Sequence, residues 1–403
     1  MKEAAYIGAV PGRSGGEAAE DFLRICIVSH PGSPHRGYFF DWAHHTLCKD
    51  STHLPFGRGL GIPVYDFPEV PGKQEALSSL TARVEKLFII ILLDALLLQD
   101  EDLCKFCARL GEETRKNPAG VSLLPVALTS ESEINARNPL PEIEYLSLWE
   151  NKEGENLQNN VLLKNQFLVN LLHNIGRFMD QEVSPAGGQF PIKLFISYKS
   201  DDEGELALAI DKRIKEAYQA LGTYLYVVRS APGTNILTKI DREVKDSVLL
   251  IIHSDRYSTS RYCQREVRLA KSLLKPIVVI NRYVNGEERS FPYMFNVPHL
   301  HYSSHESDDV FLDKVILHLL YEIVRHLYLK NSLHYEAGRL QQLGSDVGIL
   351  ATAPELLVFP VLKKQLYTTV IYPEPKLTAE EIEILQAMDH GIRFITLKEL
   401  ISD

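Results

Sequence analysis

The chain has 403 residues, 45% hydrophobic and 24% charged, with 53 acidic against 43 basic side chains and a net charge of −10. That length predicts two or three domains with ordinary soluble cores. The acid excess, with no long Lys/Arg run, argues against direct binding of duplex nucleic acid, which needs a concentrated basic face.

Five scattered cysteines are too few for a disulfide framework and fit a reducing cytoplasm. Residues 1–22 lack the apolar run of a signal peptide and read as an extension. From residue 23 to 180 the pattern is α/β. "LRICIVSHP" is a strand with a polar end, and "GIPVYDFPEVPGK" a strand followed by a Pro-Gly loop. "LFIIILLDALLL", residues 87–98, is too short to cross a bilayer and Asp94 interrupts it, so it reads as a buried strand running into a helix or loop. "SLLPVAL", "EIEYLSL" and the helical "FLVNLLHNIGRFM" follow.

"SPAGGQFP" marks a linker at 181–191. The plan then repeats over 192–330. "KLFISYKSDD" (193–202) is an apolar strand ending in hydroxyls, a lysine and two acids. An amphipathic helix from Glu205, a strand "YLYVV" and a loop "RSAPGT" come next. "SVLLIIHS", the helix "SRYCQREVRLAKSLL", the strand "PIVVINRY", "HLHYS" and a helix near 308–329 complete it. Both-face-apolar strands alternating with helices predict tandem doubly wound parallel-sheet domains of flavodoxin type. An ungapped match places Cys104 over Cys263 and Cys107 over Glu266, which suggests a duplication. Residues 331–403 read as a small α/β segment, with Thr378 and Glu381 as a capping box, too small to stand alone and so docked on its neighbour.

In doubly wound sheets ligands bind beyond the carboxyl ends of the strands. Three such ends, "SYKSDD", "RSAPGT" and "SDRYSTSRYCQRE", converge here. Together "LFISYKSDD", "RSAPGTNILTKIDREVKDS" and "LLIIHSDRYSTSRYCQREV" resemble the TIR (Toll/interleukin-1 receptor) domain family, bacterial type, over roughly 190–328, with a degenerate TIR-like repeat before it. The resemblance implies one of two functions. The first is cleavage of NAD at its nicotinamide–ribose bond, with Glu266 catalytic, in an immune response triggered by self-association. The second is a non-catalytic scaffold. An enzyme acting on other nucleotides is a third possibility. Nicotinamide leaves as a neutral amine, so one carboxylate suffices where ordinary glycosidases use two.

Tyr262 precedes Glu266 by one helical turn, where the family often has Trp. Phe195 and Ser197 are placed to line the pocket, and Lys199 to meet a diphosphate. Arg229 stands where the family often has an acid. NAD enters as substrate; no cofactor or metal is expected, and the lone "CKFC" is poor evidence for zinc. Expected partners are NAD, further copies of the chain, and an activating protein or small-molecule trigger, with no membrane.

Overall fold

The computed structural model describes residues 21–48, 59–67, 84–149, 160–180, 193–217, 236–245, 247–286, 289–294, 296–302, 308–340, 344 and 346–402. The linker at 181–191, the strand expected at 224–228 and the loop carrying Arg229 lie outside them.

Strands β1 (Asp21–Val28), β2 (Val64–Phe67), β3 (Val84–Leu93), β4 (Val121–Ala127) and β5 (Leu146–Ser147) form a sheet ordered 2-1-3-4-5, parallel throughout. The last eight residues of β3 are all buried, as a sheet covered on both faces requires. One face is covered by α1 (Arg36–Leu47) and α5 (Val161–Asp180). The other is covered by α2 (Ala95–Gln99), α3 (Glu101–Lys116) and α4 (Glu131–Arg137). Asp94 and Asp100 cap α2 and α3 by accepting backbone N–H bonds, so the acid that interrupts the apolar run is the stop between strand and helix.

The second sheet joins β6 (Lys193–Tyr198), β7 (Ser247–His253), β8 (Ile277–Asn281) and β9 (His299–His301) in the order 6-7-8-9, again parallel. Helices α7 (Ile236–Lys245) and α8 (Arg261–Ser272) cover one face. The other carries α6 (Ser200–Ala217) and α9 (Asp308–Arg339).

Helix α9 was expected near 308–329 and runs ten residues further. Its two ends have different partners. Leu319, Leu320, Ile323 and Val324 join Leu171, Leu172 and Ile175 of α5 in one core shared by both sheets. Further on, Tyr328 donates to the Gly61 carbonyl at 3.1 Å and Asn331 to the Met179 carbonyl at 3.1 Å. Beyond these, Leu333 and Ala337 pack on Ile371 and Ile395 of a third sheet, which holds the extra turns in place.

That third sheet is parallel, with β10 (Val347–Ile349), β11 (Thr369–Tyr372) and β12 (Arg393–Thr396) in order. Its helices are α10 (Phe359–Lys364), α11 (Ala379–Met388) and α12 (Leu397–Ser402), and the Thr378–Glu381 capping box is formed. The unit packs on α8. Lys271 Nζ, buried, reaches both oxygens of Glu355 at 2.9 and 3.1 Å, and Asn296 donates to the same carboxylate at 3.2 Å. Leu274, just past α8, packs against the cluster of Leu350, Val358 and Phe359.

Glu355 meets the buried Lys271 ammonium across this contact, and its removal takes away that charge partner and the Asn296 bond together. Glu355→Ala is therefore expected to cost about 1–3 kcal/mol. In limited proteolysis, residues 344–402 should be released faster from this variant than from the unsubstituted chain. Equal release rates would show that the pair does not hold the unit in place.

Candidate active site

The site is built where β6 and β7 end. Phe195 and Ser197 are alternate residues of β6 and face α8, and Ser197 lies level with Ile251 of β7. After β7 the chain turns at Ser254, which accepts the Tyr257 N–H, and makes one 3-10 turn over Tyr257–Thr259. Ser260 then caps α8 by accepting the Cys263 N–H. Starting the helix there puts Cys263, Glu266, Val267 and Ala270 on its buried side. Arg265 ties α8 to α7 through both oxygens of Asp241, at 2.9 and 2.6 Å.

Glu266 is 8% exposed, and its Oε2 accepts the Ser197 hydroxyl at 2.5 Å. Ser197 Oγ is also 2.6 Å from the hydroxyl of Tyr257, a fully buried side chain. Serine has a single hydroxyl proton. When it is given to the carboxylate, Tyr257 donates to Ser197, and the three groups form a directed chain. Burial pushes the Glu266 pKa up to about 7, and the Ser197 bond offsets part of that rise. At neutral pH the carboxyl is thus poised between its two forms.

The other expected site residues are spread around this carboxylate. Phe195 is in the core beneath Ser197. Lys199 is close enough to Cys263 to oppose the rise in its pKa, while burial carries that thiol up to about 11, so it is protonated at neutral pH. Tyr262 is 50% exposed at the start of α8, so its ring is at the surface and not beside the carboxylate. Tyr257 was not expected. It lies 60 residues from Ser197 in the chain, and its role depends on a contact that no local pattern announces.

The first sheet offers a direct comparison. Helices α3 and α8 follow capping residues Asp100 and Ser260, and their buried positions share one spacing: Leu103, Phe106, Cys107 and Leu110 against Cys263, Glu266, Val267 and Ala270. The counterpart of Glu266 is therefore Phe106, not Cys107 as the ungapped match has it. That match is one residue out of helical register. By the same offset Leu97 stands for Tyr257 and Ile91 for Ile251; Val28 is level with Ile91 as Ser197 is with Ile251, so Val28 stands for Ser197. All three polar members are replaced by apolar ones, and Phe106 stacks on Phe67.

A doubly wound domain with a buried carboxylate at its carboxyl edge is the class this geometry defines. Residues 194–306 match the family model described as "TIR domain", and this stretch of the chain is a TIR domain. Comparison with curated proteins finds no match. Among solved structures the chain is similar to a tagatose-6-phosphate ketose/aldose isomerase from Escherichia coli. Identity is 12% over 78% of this chain and 84% of that one, and the TM-score of 0.23 is too low to carry an argument. Among the described residues no helix is long and apolar enough to cross a membrane, and no cluster of three or more His, Cys, Asp or Glu side chains could hold a metal.

The raised pKa has a consequence for stability. The folded state holds the Glu266 proton more tightly than the unfolded chain does. The stability this contributes is present below the unfolded value and is lost as pH rises through about 7. Glu266→Gln should match the unsubstituted protein in denaturant unfolding near pH 4.5 and exceed it by about 3 kcal/mol well above neutrality. Tyr257→Phe should raise the Glu266 pKa further, read by carboxyl-carbon NMR. An unmoved Glu266 titration would show that Tyr257 does not act through Ser197.

Proposed function

We propose that the TIR domain cleaves the nicotinamide–ribose bond of NAD, with Glu266 as the catalytic carboxylate. The observation that carries this reading is a lone glutamate, withdrawn from water, hydrogen-bonded by Ser197 and set at the edge where doubly wound sheets take their ligands. In the reaction the C1′–N1 bond breaks and its electron pair goes to the nicotinamide nitrogen, which departs neutral. The positive charge left on the ribose is met by the Glu266 anion. Water, or a nucleophile within the same substrate, then attacks C1′ and loses a proton. A desolvated carboxylate is a stronger electrostatic partner for that cation than an exposed one.

Lys199 and Tyr262 are the proposed contacts to diphosphate and to a ring, and Arg229, outside the described residues, is proposed as a further substrate contact. Phe195 and Ser197 support the carboxylate from below. Self-association through TIR domains is the proposed trigger, in a cytoplasmic immune response. A scaffold with no chemistry is the second reading. It is favoured by the depth of Glu266 and by the exposed Tyr262, a ring suited to an interface between copies.

Nicotinamide release from NAD, followed over a series of protein concentrations, separates the two. Turnover per chain should rise with concentration. Glu266→Gln keeps the shape and removes the charge, so kcat should fall by about a hundredfold or more, with a smaller change in substrate binding. The acid limb of the kcat/KM profile should lie near the raised pKa of Glu266, because the anion is the active form. Wild-type turnover in the Gln variant would remove Glu266 from the catalytic role, and no nicotinamide release at any protein concentration would leave the scaffold reading.

A further inference from the structure

We propose that the first sheet carries a second binding site, beneath the loop from Ser29 to His35, for a small ligand presenting a vicinal pair of hydroxyl groups, as a ribose does. Among the described residues five buried side-chain polar atoms have no hydrogen-bond partner, and three of them lie at this one sheet edge. They are Ser29 Oγ just after β1, Asp66 Oδ1 on β2 and Asp94 Oδ2 just after β3.

All three point to one face. Asp66 lies level with Ile27, whose side chain faces the α1 side of the sheet. Ser29 is two residues after Ile27, and Asp94 two after Leu92, which also faces α1. Side-chain contacts agree with this parity. Arg36, the first residue of α1, meets Asp66 Oδ2 at 2.7 Å. The Asp94 carboxylate opposes the fall that burial imposes on the His35 pKa, and it adds to the rise at Tyr38. His35 and Tyr38 are themselves joined at 2.5 Å. Strand spacing and rise place Ser29 about 8 Å from Asp94, Cα to Cα, so the two side chains can serve one ligand group. In the order 2-1-3 this edge is the topological switch point, where such sheets take their ligands.

The chemistry selects the ligand. Carboxylate oxygens only accept, so Asp66 Oδ1 and Asp94 Oδ2 require donors, while Ser29 can give or accept. Asp66 has its arginine. Asp94 has no ion-pair partner among the described residues, and His35 is held toward its neutral form. An isolated phosphate would bring negative charge to an already negative edge. A diol brings donors without charge. The loop over this edge is bonded to itself, Ser33 N to His30 O at 2.9 Å and Gly32 N to His30 Nδ1 at 3.0 Å. None of this depends on the chemistry proposed for Glu266.

The test uses the full chain carrying Glu266→Gln and ligand-observed NMR with adenosine, which has the diol and no phosphate. Adenosine should bind, and 2′-deoxyadenosine and 3′-deoxyadenosine should bind about tenfold or more weakly. Asp94→Asn keeps an oxygen for the Leu97 N–H while turning the orphaned oxygen into a donor, and it should weaken adenosine about tenfold. Ser29→Ala should weaken it as well. Four results would overturn the proposal: no binding at all; equal binding in both variants, which would place adenosine elsewhere; competition by inorganic phosphate; or a higher melting temperature for Asp94→Asn with binding unchanged, the mark of an unfilled packing fault.

Discussion

The TIR domain is organised by the cost of placing one carboxylate out of water. Burying Glu266 is unfavourable unless something meets its charge, and among the described residues the hydroxyl of Ser197 does so. This bond requires the first strand of the domain to end level with the helix that follows β7. It also requires a 3-10 turn at Tyr257–Thr259 to set that helix's rotation. A one-residue shift of the cap from Ser260 would turn Glu266 about 100° away from Ser197. The cap, the turn and the strand end are thus a single positioning device.

The first sheet has the same parallel layout and no such cost. With Val28, Leu97 and Phe106 in the corresponding places, apolar contact replaces the hydrogen-bonded chain. Polar groups are instead found on the opposite face of that sheet, under α1. One sheet directs its buried polarity towards the helix after β7, and the other towards the helix after β1.

Much of this was legible in the chain. Unbroken apolar runs such as residues 87–93 could only be strands covered on both faces. The run of hydroxyls and acids after Ile196 marked the strand end where Ser197 meets Glu266, and the Thr378–Glu381 box named its helix start. What escaped reading has a common cause. Tyr257, the true counterpart of Glu266 and the last ten residues of α9 all depend on contacts between distant segments. The last turns of α9 bury only Leu333 and Ala337, too few apolar positions for periodicity to mark the helix there. The paired cysteines drew the ungapped match one residue out of register: Cys104 is only half-buried, and the buried counterpart of Cys263 is its neighbour Leu103.

Helix α9 touches all three sheets, and this limits how the chain can be rearranged. Cutting the gene at the linker 181–191 would yield a TIR domain whose last helix presents Val324 and its neighbours to water where α5 had covered them. Such a fragment would pair with any apolar surface it met, including its own copies. Self-association of an excised TIR domain would then report the missing partner as much as any native assembly. The modular exchange open to domains joined by simple linkers is closed to this one unless α5 travels with it.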